Sequence, residues 1–188
     1  TAHMRKEFVA TQLDVLAFAQ DGAQLSGADA LRQFSRLQAE APQAGDTRTV
    51  RWSARGEQRA VRGAAAQIWL HLQAQVVLPL TCQRCLGPVD VTVQVDRSFR
   101  FVADEATAEA EDDEAEEDLL AVSRSFDLQG LIEDELLMEM PVVPRHAQCP
   151  ADVKLAVADP EFEAQQAAKP NPFAVLHQLK TDKGNQIK

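Results

Sequence analysis

Apolar side chains occupy every second position from Ile68 to Leu80 and again from Val89 to Phe101, with Arg97 the single break in the second run. Alternation of period two places such residues on one face of a strand. Gly87-Pro88 between the runs predicts the turn of a long antiparallel hairpin. The pair Cys82-x-x-Cys85 then lies near its tip. A third strand is predicted upstream, with Val50, Trp52 and Ala54 facing inward and Arg51, Ser53 and Arg55 outward; Arg55-Gly56-Glu57-Gln58 reads as its exit turn. Elsewhere the period lengthens. Ser26 is positioned to cap a helix over residues 27–41, with Leu31, Phe34 and Leu37 on one face, Asp29 favouring the amino-terminal dipole and Pro42 ending it. A stronger helix starts at Asp127 as N-cap, carries Leu128, Leu131, Ile132, Leu136 and Met140 on one side, and stops before Pro141. Residues 8–18 read as a short extended segment leading to a turn at Asp21-Gly22. Near the end, Asn171 and Pro172 predict a last short helix with Phe173, Leu176 and Leu179 as its apolar stripe.

These elements predict an α+β fold: a twisted antiparallel sheet with a long hairpin, packed against two to three helices. A chain of 188 residues that is 45% apolar supports one sizeable core. Residues 4–180 read as a single domain, Thr1-Ala2-His3 as a cloning remnant and residues 181–188 as a frayed tail. No apolar run approaches the ~20 residues of a membrane span, and no signal-peptide pattern opens the chain. Three cysteines, an odd number, do not make a secreted disulfide framework. The expected setting is cytoplasmic.

Charge is unevenly distributed. Ten of the 29 acidic residues fall between Asp104 and Asp118, where no basic residue occurs; the other 19 match the 19 Lys and Arg. That segment reads as a disordered, solvated loop, or as an arm that docks a basic protein or mimics nucleic-acid charge. Conversely, Arg48, Arg51, Arg55, Arg59 and Arg62 share fifteen residues with one acid, Glu57. They read either as phosphate contacts, for which Arg is suited, or as an ordinary solvated β face. Trp69 shares its strand's outer face with His71, and is either a base-stacking ring or a ring covered by a helix; His71 reads as a surface histidine. Met138 and Met140 read as core filling.

The chemistry centres on Cys82-x-x-Cys85 and His146-x-x-Cys149. Together they form a Cys3His set suited to tetrahedral zinc, Zn2+. The alternative is a structural or bare CxxC, with His146 and Cys149 incidental. Thioredoxin-like chemistry does not fit, because a redox CxxC usually opens a helix. Glu133, Asp134, Glu135 and Glu139 fall on the polar side of the Asp127 helix and read as a solvated face, not as catalytic carboxylates. There is no phosphate-binding glycine loop, nucleophile elbow or zinc-hydrolase helix.

Three segments carry a resemblance: Cys82-Gln-Arg-Cys-Leu86, Phe126-Asp-Leu-Gln-Gly-Leu-Ile-Glu-Asp-Glu-Leu-Leu-Met-Glu-Met-Pro-Val-Val-Pro144 and Asn171-Pro-Phe-Ala-Val-Leu-His-Gln-Leu-Lys180. In order and spacing they resemble the YceD family, the large ribosomal RNA subunit accumulation proteins of bacteria and plastids. The resemblance implies a non-catalytic ribosome-biogenesis factor that supports processing or accumulation of large-subunit ribosomal RNA. The expected partner is that RNA or its precursor, with Arg51, Arg55, Arg59, Arg62 and Arg84 as candidate contacts; no membrane or small-molecule substrate is expected. The alternative is an adaptor or chaperone that binds a basic large-subunit ribosomal protein through the acidic segment, without touching RNA.

Overall fold

The two alternating runs form a hairpin of 15-residue strands, Gln67–Thr81 and Pro88–Val102, in register from Ile68 opposite Phe101 to Thr81 opposite Pro88. A computed structural model describes residues 7–150 together with Glu161 and Phe173. In chain order the elements are α1 (Val15–Gln20), β1 (Gln24–Ala30), α2 (Ser35–Glu40), β2 (Thr49–Arg59), β3 (Gln67–Thr81), β4 (Pro88–Val102), α3 (Glu105–Glu111), β5 (Asp118–Ala121) and α4 (Leu128–Met138). The five strands lie in sequence order in one sheet. A compact unit ends at Cys149, and the residues from Pro150 belong to a second one. The expected helix at residues 169–180 lies outside the described residues, Phe173 excepted. Among the described residues no helix is long and apolar enough to cross a membrane.

The α+β class stands, but the sheet is mixed. β1 to β4 pair antiparallel, whereas β5 runs parallel to β4. A parallel pair needs a crossover connection, and the acidic segment supplies it. The expected disordered loop is thus corrected: Asp104 caps α3 by accepting the Thr107 N–H at 2.8 Å. Glu111 and Glu117 both grip Arg100 on β4, and Asp118 meets Arg97. Four of the ten acids therefore have structural tasks. Glu105, Glu109, Asp112, Asp113, Glu114 and Glu116 stay exposed.

Three expected elements near the amino terminus are also corrected. Residues 24–30 form strand β1, not a helix, because they pair along β2 and so cover its edge. A Cβ on Gly27 would lie 2.6 Å from the Trp52 indole, so this strand crosses the ring at the distance only glycine permits. Leu31, Phe34 and Leu37 are fully buried as expected, but in a 3-10 turn and the short helix α2. Residues 15–20 are helical, with Asp14 accepting the Ala17 N–H at 3.1 Å; the turn at Asp21-Gly22 is present. Gly56 is no turn residue. β2 runs on to Arg59, and Gly56 lets α1 rest on it, since a Cβ would meet the Phe18 carbonyl oxygen at 2.6 Å.

α1 packs on β2 and β3, α4 on β3 and β4, and α2 against α4. Asp127 caps α4 through Gly130 N–H at 2.9 Å, and Leu128, Ile132 and Leu136 are fully buried. Met140 packs on the core, but Met138 is 63% exposed and fills nothing. The polar side of α4 is not solvated throughout. Glu133 and Glu135 are 8% and 3% exposed. Glu133 Oε1 accepts the N–H groups of Arg36 and Leu37 at 2.7 and 3.1 Å, capping α2 from another helix. Glu135 faces Arg97, whose Nε lies 3.3 Å from its Oε2. Arg97 breaks the apolar alternation because its partner reaches down from the covering helix. Burial raises the Glu135 pKa against the opposing pull of Arg97.

Candidate metal centre

β3 delivers Cys82 to the tip of the hairpin, and the six-residue connection Cys82–Gly87 folds into a tight knuckle. Cys82 N–H donates to the Gly87 carbonyl and Leu86 N–H to the Cys82 carbonyl, both at 2.9 Å. Closing it requires a left-handed residue at position 86, where Leu86 has φ of 59°, the only positive value at a non-glycine among the described residues. For a side chain bearing a Cβ this costs roughly 1 kcal/mol relative to glycine. Past α4, Pro141 and Pro144 keep the chain out of helix and return it to the knuckle. There Gln83 N–H donates to the Pro144 carbonyl at 2.9 Å.

That return brings His146 and Cys149 to the two hairpin cysteines. One donor atom from each of Cys82, Cys85, His146 and Cys149 lies within 4.8 Å of all the others. Cys82 Sγ and Cys149 Sγ are 4.0 Å apart, and Cys85 Sγ is 3.4 Å from His146 Nδ1. A tetrahedral zinc with bonds of about 2.3 Å to sulfur and 2.0–2.1 Å to nitrogen has edges of roughly 3.8 Å between sulfurs and roughly 3.5 Å between sulfur and nitrogen. The donor set therefore fits a small tetrahedral cation in kind and in spacing. His146 Nε2 lies 3.0 Å from the Pro88 carbonyl oxygen, so it donates there and leaves Nδ1 with its lone pair toward the sulfurs. The sulfurs are unequal. Backbone N–H groups of Cys85, His146 and Arg84 aimed at Cys82 lower its pKa to about 5. Partial burial and the neighbouring sulfurs push Cys149 up to about 11. A divalent cation would favour the thiolate at each position.

The candidate RNA-contact arginines do not form one set. Arg51 and Arg55 stand exposed on the sheet face opposite the helices, in a shallow depression with Ser53, Gln73, Gln75 and Asp96. Arg59 donates to Glu57 at 2.8 Å and lies 4.2 Å over the Trp69 ring. That guanidinium covers Trp69, where a helix was expected, and leaves the ring 9% exposed, closed to base stacking. His71 is no plain surface histidine: Nε2 lies 2.6 Å from a Glu57 carboxylate oxygen and Nδ1 lies 2.7 Å from the Ser98 hydroxyl. Arg59 and His71 together hold the Glu57 carboxyl down to about 2. Arg48 is paired with Asp90. Arg62 lies in the connection from β2 to β3, and Arg84 in the knuckle, so the two stand at opposite ends of a ribbon roughly 45 Å long at ~3.3 Å per residue.

Arg145 at the same knuckle was not singled out from the sequence. The signal was present in the Arg145-His146 pair just before Cys149, but only the chain's return across the hairpin tip gives it meaning.

A family model described as large ribosomal RNA subunit accumulation protein YceD matches residues 70–180. The large ribosomal RNA subunit accumulation protein YceD of Haemophilus influenzae is 34% identical over 110 residues, covering 57% of this chain and 63% of that relative. The match thus spans just under two thirds of the curated relative's length. No solved structure matches the chain. The family span takes in all but the first three residues of the ribbon, α4 and all four metal-type donors but begins beyond Arg51, Arg55, Arg59 and Arg62. With more than half of its length matched, this chain belongs to the YceD family of large ribosomal RNA subunit accumulation proteins.

Proposed function

We propose that the chain supports accumulation of large-subunit ribosomal RNA by binding that RNA or its precursor in the cytoplasm, as a non-catalytic factor. The observation that carries this reading is membership of a family named for that role. A zinc ion held by Cys82, Cys85, His146 and Cys149 is part of the proposal. Four protein donors complete a tetrahedral shell and leave no open position for substrate, which is the arrangement of a structural site. Among the candidate contacts Arg51 and Arg55 on the open sheet face, Arg62 in the connection after β2 and Arg84 at the knuckle are exposed, and arginine suits phosphate.

The test is to capture the full chain from its own cells, with and without nuclease, and to quantify co-purifying large-subunit RNA. Enrichment of precursor that nuclease abolishes is expected; no enrichment over unrelated RNA would sink the RNA reading. Metal analysis after purification without chelator is expected to give about one equivalent of zinc, and less than half would remove the zinc.

A second reading draws on the six exposed acids of α3 and the residues after it, which make no ion pair among the described residues. They suit a basic ribosomal protein. Retention of such a protein after nuclease, with no RNA crosslink to the chain, would favour this adaptor role.

A further inference from the structure

The knuckle does more than close a metal site. From Thr81 to Val89 and from Met140 to Pro150 the chain holds Arg84 and Arg145 and no acidic residue, in a protein whose net charge is −10. Both arginines are exposed, and neither makes an ion pair among the described residues. The same two segments carry Leu86 at 75% exposure, Val142 at 96% and Val143 at 47%, and Gln83 N–H donating to the Pro144 carbonyl ties them together. The strand face is mixed: Arg55 and Arg59 share Glu57 and Arg48 is held by Asp90, while Arg51 is exposed and makes no ion pair among the described residues.

Leu86 supplies the second, independent observation. Its backbone sits in the left-handed region that favours glycine, yet its side chain is mostly in water. Neither the knuckle nor the core gains from a leucine there. An exposed aliphatic group at a strained position is explained by what it meets outside the chain.

We infer that Arg84, Leu86, Val142, Val143 and Arg145 form the surface by which this chain grips large-subunit ribosomal RNA, with the two arginines on phosphates and the aliphatic side chains against the sugars and bases between them. This rests on the RNA-binding reading above and moves its principal contact from the β2 arginines to the metal knuckle. Charge selects the occupant: two arginines without ion pairs, in segments that hold no carboxylate, attract a polyanion and disfavour a basic ribosomal protein. The family span supports the choice, because residues 70–180 contain the whole patch and none of the β2 arginines.

The test uses the full chain with its zinc content measured, titrated into a transcript of bacterial large-subunit ribosomal RNA across a salt series. Arg84→Glu with Arg145→Glu is expected to weaken binding at least tenfold and to flatten the logarithmic salt slope by about 1.5, at 0.7–0.9 per phosphate contact. Leu86→Gly is expected to weaken binding about threefold while leaving zinc content and melting temperature equal or higher, since glycine suits that backbone. That pairing separates a contact residue from a structural one. Arg51→Glu with Arg55→Glu is expected to weaken binding by a smaller factor than the knuckle pair does. If the strand variants abolish binding and the knuckle variants do not, the surface is misassigned while RNA binding stands. If the wild-type chain binds no better than to an unrelated transcript, the RNA reading falls and this surface with it. Should the knuckle variants instead release a nuclease-resistant protein partner and leave RNA affinity unchanged, the patch is a protein site and the inference is overturned.

Discussion

The two ends of the β3–β4 ribbon are held by different means. At one end Leu70, Leu72 and Phe99 lie under α1 and α4 and are at most 2% exposed. At the other, Leu78, Leu80 and Val89 are also buried, but the chain covering the tip is the short return after α4. The core narrows there to Leu78, Leu80, Cys82 and Val89, with Met140 and Cys149 packed against it. Thiol and imidazole donors converge at this tip, and among the described residues only there. Apolar burial therefore organises the helix-covered half, while at the tip the proposed metal would add to the margin of the same core.

The sharpest break in this comparison is to remove the donors. Cys85→Ser, or treatment with a strong chelator, is expected to abolish zinc binding. It should also expose the amides of residues 81–88 and 141–149 to hydrogen exchange while residues 68–74 stay protected. A metal present at about a thousand times its Kd stabilises by about 4 kcal/mol, so the local loss should be of that order. Equal deprotection of both ends would mean that the tip and the core form a single cooperative unit.

The helix-covered end has its own polar element, and Arg97→Leu tests it. Removing Arg97 strands a buried Glu135 and should cost about 2 kcal/mol, below the 3–5 kcal/mol of a fully buried pair because Arg97 is 39% exposed. Adding Glu135→Leu should recover most of the loss, which denaturant unfolding would read. Zinc content should not move in either variant. Glu133→Ala strips the cap from α2, leaving two amides unpaired, and should cost about 1.5 kcal/mol in the same assay.

The smallest effects are in pH. Glu57, lowered to about 2 by Arg59 and His71, contributes stability that is present above its ordinary pKa of 4.5 and is lost as pH falls toward 2. Glu135 is raised, so the folded state holds its proton more tightly and its contribution is lost as pH rises above 4.5. Melting curves across pH should show Glu57→Gln flattening the acid limb and Glu135→Gln flattening an opposite slope above it. Identical profiles would break the assignment.

The ribbon and α4 were legible because each is long and strictly periodic, with Asp127 and Pro141 marking one helix and the CxxC the tip. Short elements were not. The period-three stripe of Leu31, Phe34 and Leu37 fits a helix reaching back to residue 27, but residues 24–30 form a strand because β2 offers an edge and Trp52 leaves room only for Gly27. Gly56 has the sequence signature of a turn, and nothing local announces the Phe18 carbonyl against it. The acidic run reads as disorder by composition; pairing of Glu111 and Glu117 with Arg100, and of Asp118 with Arg97, makes it a crossover.

The metal donors divide the same way. Periodicity and residue type, both local properties, were enough to place Cys82 and Cys85 at a hairpin tip and to nominate His146 and Cys149 as their complement. Bringing the two pairs within 4.8 Å of one another is a long-range event. It depends on the register of β3 with β4, the seating of α4 on the sheet and the return past Pro144. Long-range packing likewise set which charges are engaged. It buried Glu133 and Glu135, tied Arg59 to Glu57 and left Arg84 and Arg145 exposed without an ion pair among the described residues, because a charge's role depends on what the rest of the chain puts against it.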